Sequence, residues 1–193
     1  MQEQNPFVTI TSEEVQVGRF TVIEDEVWVN GQKRPYDYIK MREGVCILPI
    51  HKNKVVALRE YRYPIRSWQT ELPGGLIDDG EDAMTAAKRE LQEETGYVAE
   101  EMIDLGVFYP SFGSTNEKIH VFAAICKEQK ESSLDAAEVL KIKEVPVNTF
   151  AKMIASGEIM HAAGIVAWAR YQERNRKQPE KEQENIVGDE KEK

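Results

Sequence analysis

The stretch from Gly74 to Tyr97, GGLIDDGEDAMTAAKRELQEETGY, limits what this chain can be more than any other. Residues Asp82 to Thr95 predict a helix: Glu81 and Asp82 suit its positive N-terminal end, Ala83, Ala87 and Leu91 recur on one face, and Gly96 stops it. Glu90, Glu93 and Glu94 crowd the last turn, on one side of the helix. The helix dipole is negative there, so the carboxylates are disfavoured by the dipole as well as by one another. Two unit charges about 4 Å apart repel by roughly 4 kcal/mol at an effective dielectric near 20, so a partly buried cluster needs protons or cations. An all-carboxylate set suits a hard divalent ion, Mg²⁺ with Mn²⁺ as a substitute, whereas zinc more often brings His or Cys, and neither is nearby in sequence. Taken alone, the glutamates favour a solvated acidic face beside Lys88 and Arg89.

The chain of 193 residues, 41% of them hydrophobic, fits one domain with decorations. Its net charge of -9 argues against binding nucleic acid or an anionic membrane, and an anionic substrate needs a local cation. Cys46 and Cys126 lie in apolar runs and read as small buried hydrophobes. The N-terminus lacks the pattern of a secretory signal and no stretch is apolar enough to span a bilayer, so cytoplasm is the expected compartment.

Along the chain, FTVIEDEVWVNGQKRPYDYIK (Phe20 to Lys40) alternates around Asn30-Gly31 and predicts a β-hairpin. GVCILPI and KVVALREYRYP read as strands buried on both faces, and IDLGVFYP and KIHVFAAIC as two more. NTFAKMIASG and IMHAAGIVAWARYQERN have helical spacing, with Ile165, Trp168 and Ala169 expected to face inward. From Gln172 the composition turns polar and a frayed or disordered tail is expected.

Gly75, five residues, Glu81, seven residues, then Arg89-Glu90-Leu91-Gln92-Glu93-Glu94-Thr95-Gly96 and an apolar residue resembles the Nudix box at every fixed position. Tyr97 stands where the family more often has an aliphatic residue. The resemblance implies a Nudix α/β/α sandwich with a mixed β-sheet and an N-terminal antiparallel β extension that pairs two subunits into a homodimer. The implied division is residues 1–42 for that extension, serving dimerisation and base binding, 43–172 for the catalytic domain, and 173–193 for the charged tail. Gly74, through its carbonyl, with Glu90, Glu93 and Glu94 are the implied metal ligands, Glu93 and Glu94 also being catalytic. Gly75, Glu81, Arg89 and Gly96 are structural, with Arg89 aiming carboxylates such as Glu81 and Glu93.

Outside the box, REYRYP and WQTELPGG resemble the approach to the box in ADP-ribose and related nucleoside diphosphate sugar pyrophosphatases, a likeness that runs from about Gly18 to Tyr171. It implies that Arg62 reaches the substrate diphosphate, that Phe20 and Tyr36 stack on a base, and that Glu138 is a catalytic or water-orienting glutamate. From the residues alone, Arg62 reads equally as a solvated edge-strand arginine, Phe20 and Tyr36 as strand packing, and Glu138 as a surface residue. The group usually shows Ser-Pro-Gly where this chain has Ser111-Phe112-Gly113, so Phe112 is a further candidate for contact with a sugar or base. The expected substrate is ADP-ribose, with GDP-mannose, UDP-glucose, a nucleoside triphosphate or a dinucleoside polyphosphate as alternatives. A non-catalytic nucleotide-sugar sensor is the reading from another class; the intact box and the absence of a basic patch speak against it.

Overall fold

The computed structural model describes residues 4–129 and 140–189. The chain forms two compact units, one of residues up to Glu43 together with Tyr109–Lys118, the other of Gly44–Phe108 and the chain from Ile119 onward.

The first unit is a three-stranded antiparallel meander of β1 (Val8–Val17), β2 (Phe20–Val29) and β3 (Gln32–Lys40). The expected hairpin is β2–β3, and Asn30 (φ 49°) and Gly31 (φ 74°) both take the left-handed conformation that a two-residue primed turn demands. β1, which the sequence reading did not single out, pairs along β2 from Val8↔Trp28 to Val17↔Phe20. Segment 109–118 docks on β3 through the Ile39 N–H to the Ser114 carbonyl (2.9 Å) and the Met41 N–H to Asn116 Oδ1 (2.7 Å).

The second unit is built on six strands: β4 (Gly44–His51), β5 (Lys54–Arg62), β6 (Ser67–Glu71), β7 (Tyr97–Phe108), β8 (Ile119–Gln129) and β9 (Leu140–Pro146). They run in the order β6-β5-β4-β8-β7, with β9 along β5; β4 and β8 are parallel and the other pairs antiparallel, so the sheet is mixed. Helix α1 (Ala83–Thr95) covers one face, and α2 (Val147–Ala155) with α3 (Ala162–Asp189) the other.

Alternation along β4 explains why GVCILPI reads as a continuous apolar run. Val45 and Ile47 join Ala87 and Leu91 of α1, while Cys46 and Leu48 join Phe150 of α2 and Ala163 and Ala167 of α3. Strand residues of opposite parity therefore feed two separate cores, which makes this unit an α/β/α sandwich. Cys46 and Cys126 are both buried and free. Burial raises the thiol pKa of Cys46, with the charges of Glu94 and Glu71 adding to the effect, and pushes that of Cys126 up to about 11.

The structure amends the reading of α3. Its inward face is carried by Ala163 and Ala167, with Ile165 and Trp168 partly buried, whereas Ala169 is exposed, being two residues and so about 200° round the helix from Ala167. The helical backbone also continues to Asp189, through the stretch read as a polar tail, whose many Glu, Gln, Lys and Arg are good helix formers. Tyr97, the unusual residue after the box, is 2% exposed and donates its hydroxyl to Glu144 Oε1 at 2.5 Å. Burial first and this bond second raise its pKa to about 12.

If α1 is held mainly by its apolar face, Leu91→Ala should destabilise the protein by about 2–5 kcal/mol in urea unfolding, while Lys88→Ala on the exposed face stays within about 0.5 kcal/mol. Equal losses would contradict this packing.

Candidate active site

Helix α1 begins and ends by explicit capping. Asp82 accepts from the N–H groups of Met84 and Thr85 (3.0 Å each) and from the Thr85 hydroxyl (2.6 Å), which lowers its pKa. Gly96, at φ 71°, closes the far end by donating its N–H to the Gln92 carbonyl at 2.8 Å.

Between these caps Arg89 organises the acids. Its Nε and Nη2 donate to the two oxygens of Glu81 at 3.1 and 3.0 Å, and its Nη1 donates to Glu90 at 2.8 Å and Glu93 at 3.1 Å. Nη2 also donates to the Leu76 carbonyl at 3.1 Å, and Asp78 lies 3.8 Å from it. Glu81 is the largest influence raising the pKa of Arg89, and Arg89 in turn is the largest influence lowering that of Glu81.

The glycine turn supplies the other wall. The carbonyls of Pro73 and Gly75 accept from the N–H groups of Ile47 (2.9 Å) and Val45 (2.8 Å), so by alternation the main-chain groups of Gly74 face away from β4. The Gly74 N–H is accordingly spent on Glu94 Oε2 at 2.8 Å. Neither glycine has room for a side chain: a Cβ on Gly74 would lie 2.2 Å from the Val45 carbonyl oxygen, and one on Gly75 would lie 2.3 Å from Glu90 Oε1. The carboxylate of Glu90 thus occupies the space that the Gly75 side chain would fill.

The predicted Gly74, Gly75, Glu81, Arg89, Glu90, Glu93 and Glu94 therefore come together, while Arg62 is held by Glu71, three residues before Gly74 in the chain. Phe20, Tyr36 and Phe112 belong to the other unit: Phe20 lies under the Arg19 guanidinium at 4.9 Å, Tyr36 packs edge-on to Phe7 at 5.7 Å, and Phe112 is 83% exposed. Glu138 lies outside the described residues. Among the described residues no three His, Cys, Asp or Glu side chains stand together as a ready-made metal cluster, since Glu90 and Glu93 are drawn onto Arg89 and Glu94 onto the Gly74 amide. The donor set itself, carboxylates beside a backbone turn with no room for a Cβ, fits a hard divalent cation.

The sequence reading missed Glu71 and His161. Glu71 is 6% exposed and grips Arg62 with both oxygens, and His161 Nδ1 accepts from the Leu72 N–H at 3.3 Å. Burial lowers the pKa of His161.

This fold and site are those of a hydrolase family. The model of the NUDIX domain matches residues 40–164, and the chain belongs to the Nudix family. Within it the resemblance is to the ADP-ribose pyrophosphatase group. The ADP-ribose pyrophosphatase of Bacillus subtilis (strain 168) is 30% identical over 161 residues, covering 80% of this chain and 86% of that one. The methanol dehydrogenase activator of Bacillus methanolicus is 31% identical over 164 residues, covering 82% and 89%. A crystal structure described as an ADP compounds hydrolase superposes with a TM-score of 0.81 at 25% identity, covering 92% of this chain and 98% of the other. The expected α/β class and Nudix fold hold, and the chain is a Nudix hydrolase.

Two substitutions separate the roles of the glycines. Gly74→Ala forces backbone apart and should lower the melting temperature, whereas Gly75→Ala meets a movable carboxylate and should leave a folded protein with hydrolysis reduced at least tenfold; equal activity in Gly75→Ala and wild type would remove Glu90 from the site. The Glu81–Arg89 pair predicts a pH signature. The folded-state pKa of Glu81 is lowered from 4.5, so its stabilisation is present above that pH and is lost as pH falls through the depressed value. The stability gap between wild type and Glu81→Gln should close on acidification, and a gap independent of pH would refute the pairing.

Proposed function

We propose that this protein hydrolyses the pyrophosphate bond of a nucleoside diphosphate sugar, ADP-ribose first, in a Mg²⁺-dependent reaction. The observation that carries this reading is the union of Arg89, Glu81, Glu90 and Glu93 with the Glu94–Gly74 contact. The names borne by the relatives point to the same substrate class. Gly74, Glu90, Glu93 and Glu94 would hold Mg²⁺, which when bound neutralises diphosphate charge and acidifies water.

In the reaction, water oxygen attacks one phosphorus, the bridging P–O bond breaks, and AMP and ribose 5-phosphate leave. The proton of the water passes to a carboxylate, for which Glu93 and Glu138 are the candidates. Arg89 holds and aims Glu90 and Glu93 through its Nη1, and Arg62 faces the diphosphate. Phe20, Tyr36 and Phe112 are the residues we assign to the base and sugar. A homodimer in the cytoplasm completes the proposal. Among the described residues no helix is long and apolar enough to cross a membrane.

The test is a panel of ADP-ribose, GDP-mannose, UDP-glucose, dinucleoside polyphosphates and dNTPs with Mg²⁺, read by chromatography. AMP and ribose 5-phosphate from ADP-ribose are expected, and the Glu93→Gln, Glu94→Gln double variant should lose at least a hundredfold in turnover. A different cleaved substrate would overturn the ADP-ribose assignment, and wild-type turnover in the double variant would overturn the site. Binding without cleavage anywhere in the panel would favour the sensor reading.

A further inference from the structure

The register of the β5–β6 hairpin places Leu58 opposite Glu71, Glu60 opposite Gln69 and Arg62 opposite Ser67, so these side chains share one face of the sheet. Arg62 lies four residues along from the partner of Glu71, yet its side chain runs diagonally back. Nε reaches Oε1 and Oε2 of Glu71 at 2.9 and 3.1 Å and Nη2 reaches Oε2 at 2.6 Å, while Nη1 meets Glu60 at 3.0 Å. Glu71 is 6% exposed, and a carboxylate so buried is rarely tolerated without a charged partner. Arg62 keeps about half of its side chain, 49%, open to solvent.

The pair is tied through the chain to the residues proposed to hold metal. Glu71 precedes Leu72-Pro73-Gly74, and the Gly74 N–H is bonded to Glu94 Oε2 at 2.8 Å. The chain beyond Glu71 is pinned as well, because the Leu72 N–H is bonded to His161 and Leu72 packs against Gly164, where an added Cβ would lie 3.4 Å from Leu72 Cγ. Of the five N–H groups of Arg62, that of Nε and one on Nη2 go to Glu71 and one on Nη1 meets Glu60, which leaves one on each Nη for two phosphate oxygens, the bidentate pairing that arginine favours.

We propose that Glu71 is a positioning residue, holding Arg62 by its Nε/Nη2 edge so that the N–H groups left on Nη1 and Nη2 meet a diphosphate. This rests on the diphosphate role given to Arg62 above, and Glu71 touches no substrate itself.

The test is calorimetric binding of inorganic pyrophosphate in Mg²⁺ to wild type, Glu71→Gln, Arg62→Ala, Arg62→Lys and the Glu71→Gln, Arg62→Ala double variant, with melting temperatures for each. Glu71→Gln is expected to weaken binding about tenfold, as for loss of one charge-assisted hydrogen bond. Arg62→Lys should do the same, because lysine keeps the charge and lacks the fork, and the double variant should bind no worse than Arg62→Ala alone. Should Glu71→Gln fail to fold, Arg62→Lys decides. Wild type that does not bind pyrophosphate, variants that bind as wild type, or losses that simply add would each overturn the proposal. The substrate panel is independent: pyrophosphate held through this pair with no nucleotide sugar cleaved would end the functional reading and leave the positioning role standing.

Discussion

The guanidinium of Arg89 is the contact on which the rest of the site depends. It ties the loop before α1 to the last turn of that helix, because Glu81 and the Leu76 carbonyl lie on the loop side and Glu90 and Glu93 on the helix side. Without it, Glu90 and Glu93 would face one another at the negative end of a helix dipole, with Glu94 beside them. A planar cation with five donors suits this place, since lysine could not serve both oxygens of Glu81 and two further carboxylates at fixed angles. Arg89 therefore has to be both a charge and a template.

That template is aimed by backbone. α1 is seated by Ala87 and Leu91 against the faces of Val45 and Ile47, and the Gly74-Gly75 turn is laced to the same strand through Val45 and Ile47. Both walls of the site thus refer to β4, a strand buried in the middle of the sheet, and a shift of either wall would disrupt the core as well as the chemistry. The two glycines close the remaining gap by removing side chains where a main-chain oxygen and a carboxylate must pass.

The parts legible in sequence were those set by local chemistry. Asn30-Gly31 announced a hairpin, the apolar run of β4 a doubly covered strand, and Asp82 and Gly96 the two ends of α1. The spacing of Arg89 and its glutamates was equally visible, because neighbours on one helix turn meet whatever the tertiary fold. What escaped depended on register. Glu71 and Arg62 share a face only once β5 and β6 are paired with Leu58 opposite Glu71, and nothing in REYRYPIRSWQTE fixes that pairing. His161 meets Leu72 across 89 positions of sequence, a contact that only the packing of α3 on the sheet creates. Ala169 was misplaced for a related reason, since small residues on several faces of α3 leave its inward direction undefined until the sheet is present.

Charge accounting across the site bears on the chemistry. Glu60, Glu71, Asp78, Glu81, Glu90, Glu93 and Glu94 are engaged around the two guanidiniums of Arg62 and Arg89 and the Gly74 amide. Both arginines are thus already outnumbered before any substrate arrives. A diphosphate approaching such a site meets net repulsion, and a chain of net charge -9 offers no wider positive field to offset it. On the proposed reading, divalent cations on the glutamates would reverse that sign locally and leave Arg62, held by Glu71, to meet the substrate. The surplus of carboxylate around two arginines is therefore the feature on which the proposed metal dependence rests.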